Sequence, residues 1–526
     1  MRIIGCAILL LCSVVGHASK RATDEVVGEA SKLCNVVGEA SKLCNVAHYD
    51  DAKLGSFTHY VPRLVVSITV DQLRSDYLEA FEPFYSEGGL RRLLSKGLVY
   101  ASAAYSFAPV DRASAVAALS TGVPPYYNSI VGQRWLNRET LRPVQCTDDE
   151  QYPGIQTTQT VSPVMLSTST TGDELKIATA GKGQVWSISP YCDAAVMAGG
   201  HAADGVLWID DETGEWCSSQ YYGAALPSWV RSMGWNNLPV NKATGKDEQR
   251  FKHYKTTTGV NADITAMAIR CLDYTGLGRD DMPDLLSLTY NAGSGGLINS
   301  REQMREVYRA LDTEILRLLN TIAQRIGEEH FLVVLTGTGY CEEHEETDYA
   351  TYRIPTGTFY MSRTADLLNM YLGAIWGQGK YVDTTFRNHI FLNHALLDKK
   401  TISIGEATRR AQELVMMMSG VRNVYTSLQL LTLGNDQIER VRNGYSPERC
   451  GDLVVEAAPG WRVLTENTGE SEYARASFVQ FPIIFFSSGM TPQRILTPVT
   501  TDRIAPTIAR AIRTRAPNAC SAEPLF

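Results

Sequence analysis

The chain has 526 residues, 44% of them hydrophobic and 20% charged, with 42 glycines and 21 prolines. These are the proportions of a folded globular protein and exclude a disordered or fibrous one. A net charge of −8 argues against a general nucleic-acid binder, because phosphate binding relies on a cationic surface.

The first residues read as a secretion signal over 1–18. Arg2 supplies the positive start, Ile3 to Val15 form the apolar core, and Gly16-His17-Ala18 offers small residues at the −3 and −1 positions. The apolar run is short for a bilayer span, and no later segment has the length and apolarity of a transmembrane helix. A membrane anchor, or acylation at Cys12, is the alternative; Leu11 fits a lipoprotein cleavage site poorly. The expectation is an exported protein, with no transmembrane segment after cleavage. Removal of Cys6 and Cys12 leaves nine of the eleven cysteines, an odd number for an oxidising compartment. None forms a CxxC pair, so a cysteine zinc site is not expected. Cys192 with Cys217, or Cys450 with Cys520, are candidate disulfides that spacing does not decide. Residues 19–60 read as an N-terminal extension in which VVGEASKLCN at 26–35 recurs unchanged at 36–45, too few rounds for a solenoid.

From about Val61 the pattern becomes α/β. Apolar runs of strand length recur at Leu64–Val70, Gln184–Ser189, Asp284–Thr289, Phe331–Thr336 and Pro482–Ser487, each ending in small or polar residues and followed by helical periodicity. Runs apolar on both faces predict a mostly parallel central sheet flanked by helices on both faces, one domain over 61–526. Ligands of such sheets bind beyond the carboxyl ends of the strands. Between about 365 and 460 the rhythm weakens, which predicts a partly inserted cap region.

Asp71 follows the first run. Then come Phe107-Ala108-Pro109, Ser120-Thr121-Gly122, Ile130-Val131-Gly132-Gln133-Arg134-Trp135, Thr171-Gly172-Asp173-Glu174-Leu175, Gly199-Gly200-His201-Ala202-Ala203-Asp204 and Trp208-Ile209-Asp210-Asp211. In this order and spacing, over about 62–515, the series resembles the phosphate-irrepressible alkaline phosphatases of Bacteroidota, in the type I phosphodiesterase/nucleotide pyrophosphatase branch of the alkaline phosphatase superfamily. That resemblance implies an alkaline-phosphatase-like fold and, for active members, two zinc ions flanking a Thr or Ser nucleophile. The metals lower the nucleophile's pKa and stabilise the leaving oxygen.

Carried onto this sequence, the first metal-binding aspartate is Asp71, and the nucleophile position, three residues after Pro109, is Arg112. The Asp-Tyr-x-Gly-His segment falls on Tyr290-Asn291-Ala292-Gly293-Ser294, placing Tyr290 and Ser294 at ligand positions. The Thr-Ala-Asp-His-Gly segment becomes Thr336-Gly337-Thr338-Gly339-Tyr340, placing Thr338 and Gly339 where Asp and His belong. The last ligand position, two before Pro482, is Gln480. The phosphate-binding asparagine falls on Gln133 and the Lys-x-Arg pair on Tyr191 and Asp193. Five of the six ligand positions and the nucleophile have thus lost their chemistry, and hydroxyls, amides or glycine do not hold zinc comparably.

No catalytic residue and no cofactor are expected on this basis. Arg112 is expected to pair bidentately with Asp71 in place of the metal; the alternative leaves Arg112 in solvent and Asp71 capping the next helix. A two-residue slip would put Ser114 at the nucleophile position. Cys341-Glu342-Glu343-His344-Glu345-Glu346 collects metal-binding side chains but reads as solvated surface. His201 reads as a structural hydrogen-bonding residue. The functional expectation is a pseudoenzyme, a binding or scaffold subunit with a protein partner in the periplasm or at the outer membrane of a Gram-negative bacterium. The alternative is a phosphoric-ester hydrolase with a metal site rebuilt around Asp71, Arg112, Ser114 and 341–346.

Overall fold

Twelve strands build the central sheet: β1 Leu64–Asp71, β2 Leu98–Ala104, β3 Asp148–Ile155, β4 Thr160–Val161, β5 Val185–Ile188, β6 Gly205–Ile209, β7 Trp216–Ser219, β8 Asp284–Asn291, β9 Phe331–Gly337, β10 Phe481–Phe486, β11 Gln493–Ile495 and β12 Val499–Thr500. Their order is β11-β2-β10-β9-β1-β8-β5-β6-β7-β3-β4, with β12 also paired to β2. This computed structural model describes residues 61–231, 250–293, 295, 300–341, 353–432, 434–474 and 479–526. The signal segment, the repeat with Cys34 and Cys44, Ser294, Gly296 and residues 342–346 lie outside them.

The middle of the sheet, β9-β1-β8-β5-β6, is parallel. Every residue of β8 and β9 is buried, as a strand covered on both faces requires. On either side the pairing turns antiparallel. β10 runs antiparallel to both β9 and β2, and β6, β7, β3 and β4 form an antiparallel wing. The five apolar runs seen in the sequence are all strands of this sheet. The Pro482 run, however, enters against its neighbours rather than with them.

Helices cover both faces. α1 (Arg112–Thr121), α2 (Thr171–Ala178), α3 (Cys192–Gly199), α4 (Gly259–Thr275) and α5 (Arg301–Ile326) are the ones that matter here. Side chains alternate along β1. Leu64, Val66, Ile68 and Val70 share one core with Ile264 and Met267 of α4 and with Leu311 and Ile315 of α5. A second cluster joins Ala113, Val116 and Ala117 of α1 to Ala194, Val196 and Met197 of α3 and to Val206 and Trp208 of β6. Alanine on both facing helices lets α1 and α3 approach closely, so the first turns of the two helices come together at the carboxyl end of β1.

Between β9 and β10 the chain builds a four-stranded sheet, in the order Val382–Phe386, His389–Leu392, Leu453–Ala457, Val421–Thr426. The helices Met361–Trp376 and Ile404–Val415 contribute to its own core, with Leu368, Leu372, Ala407 and Ala411 fully buried. This inserted unit grips the loop ahead of α1. Arg440 donates to the carbonyls of Tyr105 and Phe107 at 3.3 and 3.4 Å, and Asn443 to that of Ser106 at 3.0 Å.

The seven described cysteines, Cys192, Cys217, Cys450 and Cys520 among them, are free thiols. Neither disulfide considered from spacing forms. Among the described residues no helix is long and apolar enough to cross a membrane.

His201 fastens the turn after α3 to the start of α2. Thr170 caps α2 in a capping box with Asp173. Asp173 also accepts the backbone N–H groups of His201 and Ala202, both at 2.8 Å, and faces His201 Nδ1 at 3.0 Å. His201 Nε2 meets the Leu166 carbonyl at 3.0 Å. Both ring nitrogens are engaged, which suits an imidazolium and leaves no basic lone pair for catalysis. The hydrogen bond to Asp173 raises His201 above its ordinary pKa of 6.5. Asp173 lies below 3.8, because its hydrogen bonds, led by that to His201, outweigh the burial that pushes it up. A raised histidine stabilises the fold fully below its unfolded pKa and loses that contribution as pH climbs through its folded value. The melting-temperature gap between wild type and His201→Asn should therefore be widest just below pH 6.5 and close at higher pH; a gap constant from mildly acidic to alkaline pH would refute the charged pair.

Candidate functional site

Asp71 ends β1 on the face that carries α1 and α3 and is 1% exposed. A buried carboxylate needs hydrogen bonds or a cation, and it has both. Thr338, just past β9, donates to Oδ1 at 2.7 Å, and Arg112 Nη1 stands 3.5 Å from Oδ2. The guanidinium's bidentate bond goes elsewhere: Nε and Nη2 reach the two oxygens of Asp193 at 3.1 and 3.0 Å. Its plane lies over the Tyr191 ring, 3.4 Å from the centroid, and the Tyr191 hydroxyl donates to the Lys255 carbonyl at 2.9 Å. Arg112 therefore does fill the space beside Asp71, but the fork-to-fork pair expected with Asp71 forms with Asp193 instead. Asp71 already spends one oxygen on Thr338, and Asp193, in the first turn of the adjoining α3, presents both of its own.

A cation in the first turn of a helix is opposed by the helix dipole by about 0.3–1 kcal/mol. Two charge-assisted bonds to Asp193, each contributing about 1.5–3 kcal/mol, together with the ring beneath, outweigh that. Burial pushes the Asp71 carboxyl above its ordinary range, with Arg112 and then Thr338 acting in the opposite direction. For Arg112 the two carboxylates overcome desolvation and hold it charged.

Asp111 fixes where this helix begins. Its Oδ1 accepts from the Ser114 backbone N–H and hydroxyl, both at 3.0 Å, and Ser114 Oγ in turn accepts from the Asp111 N–H at 3.0 Å. Asp111 Oδ2 accepts from the Gln133 N–H at 2.7 Å and from Arg387 of the inserted unit at 3.3 Å. Gly132 is required there, since a Cβ would lie 2.7 Å from Arg387 Nη1 and 2.8 Å from Asp111 Oδ2. Ser114 is fully buried inside this capping box, so it offers no free hydroxyl to a substrate. Gln133 joins the site through its backbone.

The remaining positions disperse. Tyr290 is the register partner of Val70, not of Asp71; it points into the α4–α5 core, on the opposite face of the sheet, with its hydroxyl 3.0 Å from Thr265 Oγ1. Gly339 has φ +65°, and a Cβ there would stand 2.9 Å from the Phe481 ring and 3.0 Å from that of Tyr105. Gln480 is exposed and accepts from the Ser75 N–H through its carbonyl. Cys341 is buried at the end of its segment.

The donor set does not fit a zinc pair. Asp71 and Asp193 are the carboxylates at the site, and a guanidinium already lies between them. The imidazole position at 339 is a glycine enclosed by two rings, and the position at 290 faces away. Among the described residues no group of three or more His, Cys, Asp or Glu side chains is placed to hold a metal.

The resemblance gives Asp193 only as a lost phosphate contact; the pairing with Arg112 gives it a second role. Its signal in the sequence is a charge exchange: by the resemblance, Arg112 stands where a nucleophile would and Asp193 where an arginine would.

Removing the arginine alone leaves two carboxylates facing each other. Arg112→Met should cost about 3 kcal/mol by urea unfolding near neutral pH, and adding Asp71→Asn should recover part of that loss. The cation holds Asp71 down, so without it the carboxyl rises further above its unfolded value of 3.8. A raised carboxyl costs stability as pH climbs through the interval between those two values. The deficit of Arg112→Met should thus be small below pH 3.8 and grow above it; a pH-independent deficit, or strict additivity of the two substitutions, would count against the arrangement.

The family described as type I phosphodiesterase / nucleotide pyrophosphatase matches residues 65–478. The chain is similar to alkaline phosphatase PafA of Elizabethkingia meningoseptica, at 24% identity across 88% of this chain and 94% of that one. It is likewise similar to alkaline phosphatase PhoV of Synechococcus elongatus, at 24% identity across 87% and 91%. The crystal structure of wild-type PafA superposes with a TM-score of 0.76 at 23% identity, covering 89% of this chain and 99% of that one, which establishes the shared architecture. With a match that spans most of the chain and a sheet of the same plan, this protein belongs to the type I phosphodiesterase / nucleotide pyrophosphatase family of the alkaline phosphatase superfamily.

Proposed function

We propose that this chain is a non-catalytic member of its family, exported through a cleaved signal over residues 1–18, that serves as a binding or scaffold subunit in the bacterial cell envelope. One observation supports the loss of catalysis: Arg112, which the family resemblance puts at the nucleophile position, has its guanidinium held between Asp71 and Asp193 and stacked on Tyr191. Two-metal phosphoryl transfer needs a hydroxyl nucleophile and dications at that place. A fixed cation with satisfied carboxylate partners supplies neither a nucleophile nor a ligand. Fold kinship does not carry activity across such a change. A hydrolase rebuilt around Ser114 finds no support either, since that hydroxyl closes a helix cap.

A scaffold role follows from what is left. A core of this size does not depend on a metal for its stability, and export places the chain where envelope proteins assemble. The partner would be a protein.

The test begins with the mature chain, purified without chelator, offered excess zinc and then desalted. Well below one zinc per chain, with aryl phosphate mono- and diester hydrolysis at background, is the expected result. Two zinc ions per chain with turnover would overturn the reading. Native-envelope cross-linking should then yield one recurrent protein partner; a chain recovered only by itself would remove the scaffold half of the proposal.

A further inference from the structure

Away from Asp71, on the far side of the loop that carries Pro109, a narrow crevice lies where the inserted unit meets the sheet domain. Arg134 and Trp135 line it from the sheet domain, and Arg387, His389 and Arg449 from the inserted unit. It has room for about one water-sized particle.

The charges around it do not cancel. Arg134 pairs with Glu470 at 2.8 Å, and Arg387 with Asp111 at 3.3 Å. Arg449 has no carboxylate within 4.0 Å among the described residues. It is spread over the Trp135 ring, 4.5 Å from the centroid, and donates to the carbonyls of Ser129 and Met165, which leaves part of its five-donor fork unused. His389 Nδ1 and Arg134 Nε are buried with no hydrogen-bond partner among the described residues. Burial, Arg387 and Arg138 hold the His389 imidazole neutral, with its pKa pushed down to about 3. The cation without a direct ion pair is therefore Arg449, on which Glu448 acts only at longer range, beside two N–H or ring-nitrogen groups and one oxygen, Glu470 Oε2, that have no hydrogen-bond partner among the described residues. A half-buried cation with no direct carboxylate partner is costly, as the lowering of the Arg449 pKa by burial reflects, and an anion within reach would relieve it.

We propose that this crevice binds a monovalent anion of halide size, counter-charged by Arg449 and hydrogen-bonded by the guanidinium forks around it, and that the ion helps seat the inserted unit on the sheet domain. Both the size of the space and the single cation without a direct ion pair select a halide over a divalent oxyanion. The donors come from both sides of the junction, so binding couples them.

Thermal unfolding of the mature full chain is followed in sodium chloride or bromide against sodium gluconate and sodium sulfate at matched ionic strength. The expected result is a saturable rise in melting temperature with halide only, with the half-saturating concentration raised roughly tenfold or more by Arg449→Met, as the loss of a charge-assisted bond implies. Because Arg449 also holds two carbonyls, wild-type crystals soaked in bromide give an independent readout: an anomalous peak in contact with Arg449 supports the site. Equal melting in halide and gluconate overturns the proposal. A bromide peak in the soak without a saturable response in solution means an adventitious ion only and overturns it equally.

Discussion

A carboxylate at the carboxyl end of a central parallel strand has nowhere to go. Asp71 is enclosed by β8 on one side, β9 on the other and two helices above, so it must be met by charge or by hydrogen bonds where it stands. The arrangement around it follows from that requirement. Thr338 takes one oxygen, Arg112 approaches the other, and the arginine is held in turn by Asp193 and Tyr191 from the neighbouring helix. Two carboxylates share one guanidinium, which is why Asp71 remains shifted upward by burial even with a cation beside it. In an enzyme of this family the same corner is where dications would be needed. Here a tethered side chain of fixed position supplies positive charge beside Asp71.

The reach of the arrangement is longer than the three residues suggest. Arg112 is positioned by the start of α1, the start of α1 is set by Asp111, and Asp111 also receives the Gln133 N–H and Arg387. Through Arg387 the inserted unit is connected to the same hub, while Arg440 and Asn443 hold the preceding loop by its carbonyls. The loop ahead of α1 is thus clamped from both sides: from within by a helix cap and from outside by side chains of the insert. A lid that opened for substrate would have to release these bonds together.

Much of this could be read from the residues. The five long apolar runs became strands because burial on both faces writes an unbroken hydrophobic signature. The wing β3–β4 escaped notice because β3, largely exposed, lacks that signature, and β10 could not be assigned a direction because apolar content carries none. At the site, the presence of Asp71 and the intrusion of Arg112 were legible. The preferred partner of Arg112 was not, since Asp193 lies 81 positions away and only the close approach of two alanine-rich helices brings it near. The dispersal of Tyr290 likewise depends on strand register, where a shift of one residue exchanges the two faces of the sheet.

The turn at Gly339 bears on which residues this corner can accept. Its backbone lies in the left-handed region, and the rings of Tyr105 and Phe481 have closed over the place where a side chain would begin. Tyr105 is further tied by its hydroxyl to the carbonyl of Gly337. A side chain at 339, the imidazole that the family resemblance would put there included, would collide with two aromatic neighbours on a backbone that disfavours any residue but glycine. The turn works as a sieve: it passes glycine, and rings and backbone together refuse anything larger.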